Sequence, residues 1–592
     1  MNIVSVLASY HDRLLERLSP ARFYPLLLAV LCVAGLLPLL MPGLPLGHDM
    51  YYHFSRLHAM CEGLRHGVFP VMINASALQG YGYASGLFYP DFFLYPVALL
   101  GVCGMSLVNA YKVFLIVLVL ANAFSAYAVA WKIGRDHFVA FAAGLLYTWS
   151  SYFVVDVFLR AAVGEMTAFP FFPWILLGLY EIVYRDWRKF YYLALGFAGL
   201  TLSHNLSLVI MALVTAALLV FWHVRLLCEP RRIAAVLGAV LLTWLLSGFY
   251  LVTLLEQMAS NTFVVSSIAT GSIADRAVAF PRLFLELPFM KLEHWIPPGI
   301  GVILLVVLCQ RLRFRGGDSN AQHFRDALLL MGVVCLLCAS HFVPWEGALR
   351  TLAVIQFPWR FYLPATAGLA LGGALTLGTI VNGTASARRR WLWLLIVGCA
   401  SPWWLNICYQ YAAKIHEKNI FRTFTPGVKQ EASGLCYLPK GVLPEDLAER
   451  GEKLLAVPEI PLSFTRPRPG MIELTYEGNR SDCEVELPLV WYKGFGAELK
   501  DQRGKRTTQV SSSSRHCVTV LIPEDSGAGV IRVWYRGTAL QRLTRWVSLI
   551  SAIVMVGLWW QQRSRRKVSD QQAVAQAEAE ALAEADGGNT QA

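Results

Sequence analysis

The chain has 592 residues, of which 56% are hydrophobic and only 15% charged, with a formal net charge of +12. Soluble domains carry about 25% charged residues, so this composition excludes a single water-soluble core and calls for lipid around much of the surface. The positive balance does not point to nucleic acid, because Lys and Arg fall in short clusters between apolar runs, where membrane-orientation signals belong.

In chain order, residues 1–22 are polar and basic, and Tyr24 to Leu46 lacks a small-residue cleavage site, so it reads as a first span and not a cleaved leader. A helical span takes about 20 mostly apolar residues. The runs that meet this are 23–44, 110–131, 137–154, 168–184, 189–203, 206–223, 233–254, 295–310, 325–342, 359–381, 391–409 and 544–560. The stretch 87–104 is ambiguous, since it holds Asp91, Pro90 and Pro96. If it crosses fully, Lys132/Arg135 and the later basic clusters invert; if it lies along the outer interface or re-enters, all the basic clusters from Arg13 to Lys567 face the cytoplasm. The second arrangement is the expectation. It gives a polytopic α-helical membrane protein of about twelve spans with both termini cytoplasmic.

That threading places 45–109, 155–167, 255–294, 343–358 and 410–543 outside, with a tight turn at His204. The expected organisation is a transmembrane domain 1–409, an extracytoplasmic block 410–543, a last span 544–560 and a cytoplasmic tail 561–592. In the block, MIELTYEG (471–478), CEVELPLVWY (483–492), HCVTVLIP (516–523) and GVIRVWYRG (529–537) alternate between turn clusters. That pattern predicts a small antiparallel β-sandwich. The tail is rich in Ala, Glu and Gln, which predicts a short helix in an otherwise disordered segment. Of the twelve cysteines, most sit in apolar runs as small hydrophobes. Cys436, Cys483 and Cys517 lie together in the polar block, where two of the three are able to pair and the sequence does not choose between them.

The densest chemical signal is GHDMYYHFSRLHAM (47–60), directly after the first span. Asp49 sits at the outer membrane surface, and on a helix His53 lies at i+4 from it. A carboxylate beside an imidazole can serve as a general base or hold a divalent cation; the plainer alternative is a helix cap with interface anchors. Further on, Arg160 and Glu165 occupy the second outer loop, where they either pair with each other or divide the work of gripping a phosphate and supplying a second carboxylate. His204, in LSHNLS, is a turn residue or a donor to a sugar or phosphate. Arg360, in QFPWRF, is a snorkelling anchor or a phosphate ligand with Gln356 beside it. P-loop, HExxH and GxGxxG signatures are absent.

The segments GHDMYYHFSRL (47–57), LRAAVGEMTAFPFFPW (159–174), LSHNLS (202–207), IQFPWRF (355–361) and LPLVWYKGFGAEL (487–499) occur in order across most of the chain. With an acidic residue directly after the first span, the chain resembles the YfhO-like and 6-pyruvoyl-tetrahydropterin synthase-related bacterial membrane proteins of the GT-C glycosyltransferase superfamily. The resemblance implies a GT-C-like fold in the bacterial inner membrane. It implies transfer of a sugar from a polyprenyl-phosphate donor to an envelope glycan, lipid or protein acceptor on the periplasmic side. It places Asp49 and Glu165 in catalysis, and in the reading of the residues above His53, Arg160, His204, Gln356 and Arg360 then contact the substrate. A divalent cation, Mg2+ or Mn2+, serves some members of the superfamily. Here a single Asp is followed by Met, where some branches have paired acids, which argues against a metal held by Asp49 alone. The pterin chemistry in the family name does not carry over. His48, His53 and His58 are five residues apart, so successive rings rotate by about 140° on a helix and cannot converge on one zinc. Two other classes remain beside the enzyme: a lipid-linked glycan transporter or flippase, and a non-catalytic assembly factor. Against a transporter, the charges gather at one membrane face and not at the midplane.

Overall fold

The structure, a computed structural model, describes residues 17–40, 43–44, 47–266, 273–283, 302–313, 319–346, 352, 354–381, 384–399, 435–479, 481–524 and 526–587. The chain is a multi-pass membrane protein with a β-rich region near its C-terminus. Among the described residues six helices are long and apolar enough to cross a bilayer: Leu107–Gly134, Val163–Tyr184, Pro230–Ser260, Asn320–Cys338, Pro358–Val381 and Ala539–Ser564. A seventh arises if His137–Thr148 and Ser151–Phe158, bent by 45° at their junction, count as one span.

About twelve spans were expected, and the described residues do not reach that number. Apolarity alone does not set helix length. The first run is the helix Pro20–Gly35 (α1) of 16 residues, about 24 Å against a hydrocarbon core of about 30 Å. The runs 189–203 and 206–223 become the shorter helices Tyr191–Thr201 and Asn205–Phe221, separated at His204. The runs 295–310 and 391–409 lie partly outside the described residues. The ambiguous stretch 87–104 is broken into Ser85–Phe88, a 3-10 turn Phe92–Leu94 and the eight-residue helix Tyr95–Val102. At about 1.5 Å per residue the last piece is far too short to cross, and it packs on the helix Met50–Arg65 (α2).

The helices share one apolar core containing Leu28, Phe54, Tyr147, Phe169, Ile175 and Leu363. Where Asn320–Cys338 meets Tyr362–Val381, contact runs through small residues. A Cβ at Gly368 would stand 2.6 Å from the Leu328 carbonyl, and one at Gly372 3.2 Å from that of Arg325. Gly368 and Gly372 are four apart, so the pair forms a small-residue stripe that lets two backbones approach closely.

The β-rich region has nine strands in two antiparallel sheets, ordered β1-β4-β8-β7 and β2-β3-β9-β5-β6. The strands are β1 Leu455–Val457, β2 Leu462–Thr465, β3 Met471–Gly478, β4 Cys483–Val490, β5 Phe495–Asp501, β6 Gly504–Thr508, β7 Val510–Ser512, β8 Cys517–Ile522 and β9 Gly527–Tyr535. Residues from both sheets fill one core, Ile472, Leu474, Val485, Val520, Ile531 and Val533 among them, which makes the pair a sandwich. In the β3–β9 register Tyr476 faces Gly529, and the missing Cβ there leaves room for the tyrosine ring. Cys436, Cys483 and Cys517 form no disulfide.

The sandwich is fastened to the segment that follows α2. Val490 N donates to the Tyr81 carbonyl at 2.9 Å, Arg466 Nη1 to that of Gly80 at 3.0 Å, and Tyr81 Oη to that of Gly451 at 2.6 Å. Beneath these bonds Phe88 stacks on Tyr437 with ring centroids 5.0 Å apart, and Phe263 stacks on Tyr492. The final helix, Ala539–Gly587, leaves the sandwich, packs on Pro230–Ser260, and continues past the apolar part. It is longer than the short helix expected of its Ala, Glu and Gln residues.

Candidate functional site

The site grows from a single wide turn. Residues Asp156–Arg160 form a π-turn that ends with Ala161 in the left-handed region, at φ 51°. Wide turns of this kind offset side chains from helical register. The Arg160 carbonyl accepts from Asp49 N at 2.9 Å, which seats the start of α2 on the turn. Gly47 makes that approach possible, because a Cβ there would lie 2.8 Å from the Ala161 nitrogen. Asp49 is the N-cap residue of α2 by position but its side chain caps no amide. It remains exposed. The surrounding protein raises its carboxyl above the usual range by burial, opposed by the charge of Arg160, reinforced by Glu165 and opposed again by Arg360.

Behind Asp49 lies a closed ionic cluster. Glu165, 2% exposed, accepts from Arg160 Nη2 at 3.0 Å and Arg360 Nε at 2.9 Å on Oε1. Its Oε2 accepts from Arg160 Nη1 at 3.0 Å and from the Tyr152 hydroxyl. Arg160 also donates to Asp156, whose side chain is fully buried and whose Oδ2 has no hydrogen-bond partner among the described residues. Arg360 Nη1 is held by the Ile355 carbonyl at 2.7 Å and Gln356 Oε1 at 3.1 Å, and its guanidinium lies over Phe357. The two guanidiniums and the two carboxylates of Asp156 and Glu165 balance in formal charge. Unpaired charges at this depth would be costly, and the pairing removes that cost.

The histidines sit beside the cluster on neutral-ring terms. His204 caps the helix Asn205–Phe221: its Nδ1 accepts from Ser207 N at 3.3 Å and lies 2.8 Å from Ser207 Oγ. Because Nδ1 accepts from a backbone amide, the ring proton resides on Nε2. Burial pushes the His204 pKa down to about 3, against the pull of Glu165. A Cβ at Gly164 would meet the Tyr89 hydroxyl and stand 2.8 Å from His204 Cδ2, so this glycine packs both rings against the carboxylate-bearing helix. His53 shares a turn with Asp49, yet its ring is buried and Nδ1 accepts from Arg56 Nη1 at 2.9 Å. Burial and the Arg56 charge hold it well below the usual histidine range. Arg56 continues to Asp91, to the Pro90 carbonyl at 2.7 Å and over the Tyr89 ring at 4.4 Å.

The structure therefore gathers Asp49, Arg160, Glu165, Gln356 and Arg360 in one place, with His204 alongside and His53 one layer behind. Sequence reasoning missed Tyr152, Asp156, Tyr89 and the Arg56–Asp91 pair. Asp156 and Arg160 were visible as an i, i+4 acid–base pair in an apolar run. Arg56 and Asp91 are 35 residues apart and carried no local signal.

A divalent cation does not fit this donor set. Both Glu165 oxygens are engaged by arginines, Asp156 is bound to Arg160, and the nearest cations would be two guanidiniums. Among the described residues no group of three or more His, Cys, Asp or Glu is placed to hold a metal.

No protein-family model matches the chain and no curated protein matches it. Among solved structures it is similar to the archaeal oligosaccharyltransferase AglB from Archaeoglobus fulgidus, solved in complex with an inhibitory peptide and a dolichol-phosphate, at 13% identity and a TM-score of 0.37. The match covers 66% of this chain and 56% of that one. A likeness this remote carries no argument about activity.

Proposed function

We propose that the chain is a membrane glycosyltransferase that moves a sugar from a polyprenyl-phosphate donor to an envelope glycan, lipid or protein acceptor on the periplasmic side. One observation carries the reading: the exposed Asp49 is seated on the Arg160 carbonyl through its backbone N at 2.9 Å, beside the Arg160 and Arg360 guanidiniums that both pair with Glu165. Asp49 takes the proton of the acceptor hydroxyl, and its raised pKa moves it toward the range useful for a general base. The hydroxyl oxygen forms a bond to the anomeric carbon while the bond from that carbon to the phosphate oxygen breaks, with inversion. The departing phosphate takes the electron pair, and Arg160 and Arg360 face the charge it gains. His204, with its proton on Nε2, is a neutral donor toward the sugar, and Gln356 fixes the angle of Arg360. Glu165 serves as the counter-charge that orients both arginines. No step runs through a metal.

The test is sugar transfer in proteoliposomes supplied with radiolabelled polyprenyl-phosphate sugars, comparing the native chain with Asp49→Asn. Transfer that requires Asp49 in a folded, inserted protein supports the reading. Equal transfer by both removes Asp49 as the base. Lipid scrambling without transfer overturns the enzyme reading in favour of a transporter.

A further inference from the structure

The arrangement around Glu165 is that of an anion site with an anion already in it. Arg160 addresses the carboxylate with both terminal nitrogens, Nη2 at 3.0 Å from Oε1 and Nη1 at 3.0 Å from Oε2. Arg360 adds Nε at 2.9 Å on Oε1, and the Tyr152 hydroxyl adds a donor on Oε2. A guanidinium fork matches two oxygens of a carboxylate or of a phosphate equally well. Four donors from three side chains, on two separate segments of the chain, converge on one small anion. Held by two more contacts to its own backbone and amide partners, Arg360 is preset even without Glu165. Arg160 is likewise preset by Asp156.

We infer that Arg160, Arg360 and Tyr152 form a phosphate-ester site in which Glu165 is a resident competitor, displaced when the phosphate of a ligand enters. This deepens the glycosyltransferase reading and rests on its assignment of a phosphate to these arginines. The exchange is one of anion for anion, so the cluster keeps its charge balance when a singly charged phosphodiester replaces the carboxylate. Glu165 sits on the helix Val163–Ala168, whose first turn is only a few residues from Arg160, so a modest shift of that turn withdraws it. In the empty state the same carboxylate keeps two buried arginines paired, and it lowers affinity for any anion that cannot outbid it. After transfer, its return helps to expel the product phosphate.

The experiment measures binding of farnesyl phosphate and, separately, of inorganic phosphate to the full chain in nanodiscs. Glu165→Gln keeps the size and shape of the side chain, removes the competing charge and turns one acceptor toward the donors into a donor. It is expected to bind farnesyl phosphate about tenfold or more tightly than the native chain, the worth of one charge-assisted contact. Arg360→Gln is expected to lose that binding in either background. A gain for farnesyl phosphate alone identifies a lipid headgroup as the ligand; an equal gain for inorganic phosphate identifies the free ion. Unchanged or weaker binding by folded Glu165→Gln overturns the inference. If that variant does not fold, Glu165→Asp shortens the competing side chain and weakens its hold on the arginines. It is expected to tighten farnesyl phosphate binding in the same direction, and a folded Glu165→Asp with native affinity overturns the inference. The two proposals fail separately. Asp49-dependent sugar transfer with no gain in Glu165→Gln refutes only the competitor, while a gain without any sugar transfer refutes only the enzyme.

Discussion

At the scale of single residues, the site divides into one exposed acid and several buried, paired ones. Asp49 has its folded pKa raised by burial, so its base form is lost at a higher pH than for an ordinary Asp at about 3.9. The pH–rate profile of sugar transfer is expected to show an acid limb above that value, and a limb at or below it would detach Asp49 from the proton transfer. Asp91 tests the buried layer. Its carboxylate is the charge partner of Arg56, whose side chain is 2% exposed. Asp91→Ala is expected to cost about 3–5 kcal/mol, because it strands a buried guanidinium. Denaturant unfolding in detergent measures this, and a loss below about 1 kcal/mol would mean that water or a neighbour replaces the partner. Asp49, Arg160, Glu165 and Arg360 were legible in the sequence because ionisable residues at membrane depth stand out against apolar runs. Their pairing was not, since Arg360 lies 195 residues from Glu165 and no local pattern joins them.

At the scale of elements, two junctions do the positioning. The π-turn Asp156–Arg160 presents its carbonyl to Asp49 and its guanidinium to Glu165, so backbone and side chain of one residue register two acids. Gly47→Ala is expected to cut transfer by about tenfold or more while the chain still inserts, because its Cβ would overlap Ala161 and push Asp49 off the turn; displacements of about 1 Å cost catalysis on that order. Native transfer by a folded Gly47→Ala would show that Asp49 needs no such seat. The second junction is the His204 cap. Its folded pKa of about 3 lies below the unfolded value of about 6.5, so the unfolded chain binds the proton first. Stability is therefore fully present above about pH 6.5 and falls as pH drops toward the folded value, by about 1.4 kcal/mol per pH unit. His204→Asn keeps a capping side chain without the titration. Between pH 6.5 and 5 the native protein is expected to lose about 2 kcal/mol more than this variant in unfolding experiments, and parallel losses would remove His204 as the cause. The break at His204 was expected from the two apolar runs that flank it, but its cap was not, and neither was the π-turn, since apolar periodicity reports where helices run and is silent on how their ends meet.

At the scale of the whole molecule, the sandwich and the helical domain are joined through stacked aromatic rings. Phe88 stacks on Tyr437 and Phe263 on Tyr492, in one cluster that also contains Tyr52, whose ring lies beside Arg56. Tyr437 is half-buried, so Tyr437→Ala is expected to cost less than a fully buried aromatic at about 3–5 kcal/mol, on the order of 2 kcal/mol. It should also expose 435–535 to limited proteolysis in proteoliposomes. Trp546→Ala is the matched control, since that ring is 64% exposed on the outer face of the last helix. Equal cleavage of both variants would show that the rings do not hold the sandwich in place.

The sequence by itself determined the class: its low charge and long apolar runs require a bilayer, and the alternating runs 471–478, 483–492, 516–523 and 529–537 became β3, β4, β8 and β9. It also singled out Asp49, Arg160, Glu165 and Arg360, though not Asp156 or the Arg56–Asp91 pair. Hydrophobic content and period-two alternation are local quantities, and local quantities survive folding. Only the tertiary structure decided how many apolar runs are long enough to cross, because a bend at Trp149–Ser150 and a break at Pro90 cut two of them, and the first run folds as a helix of only 16 residues. It alone decided that Glu165 is spent on two arginines while Asp49 stays open. That division depends on the Gly47 approach and on contacts between residues far apart in the chain, which come into being only when the helices pack.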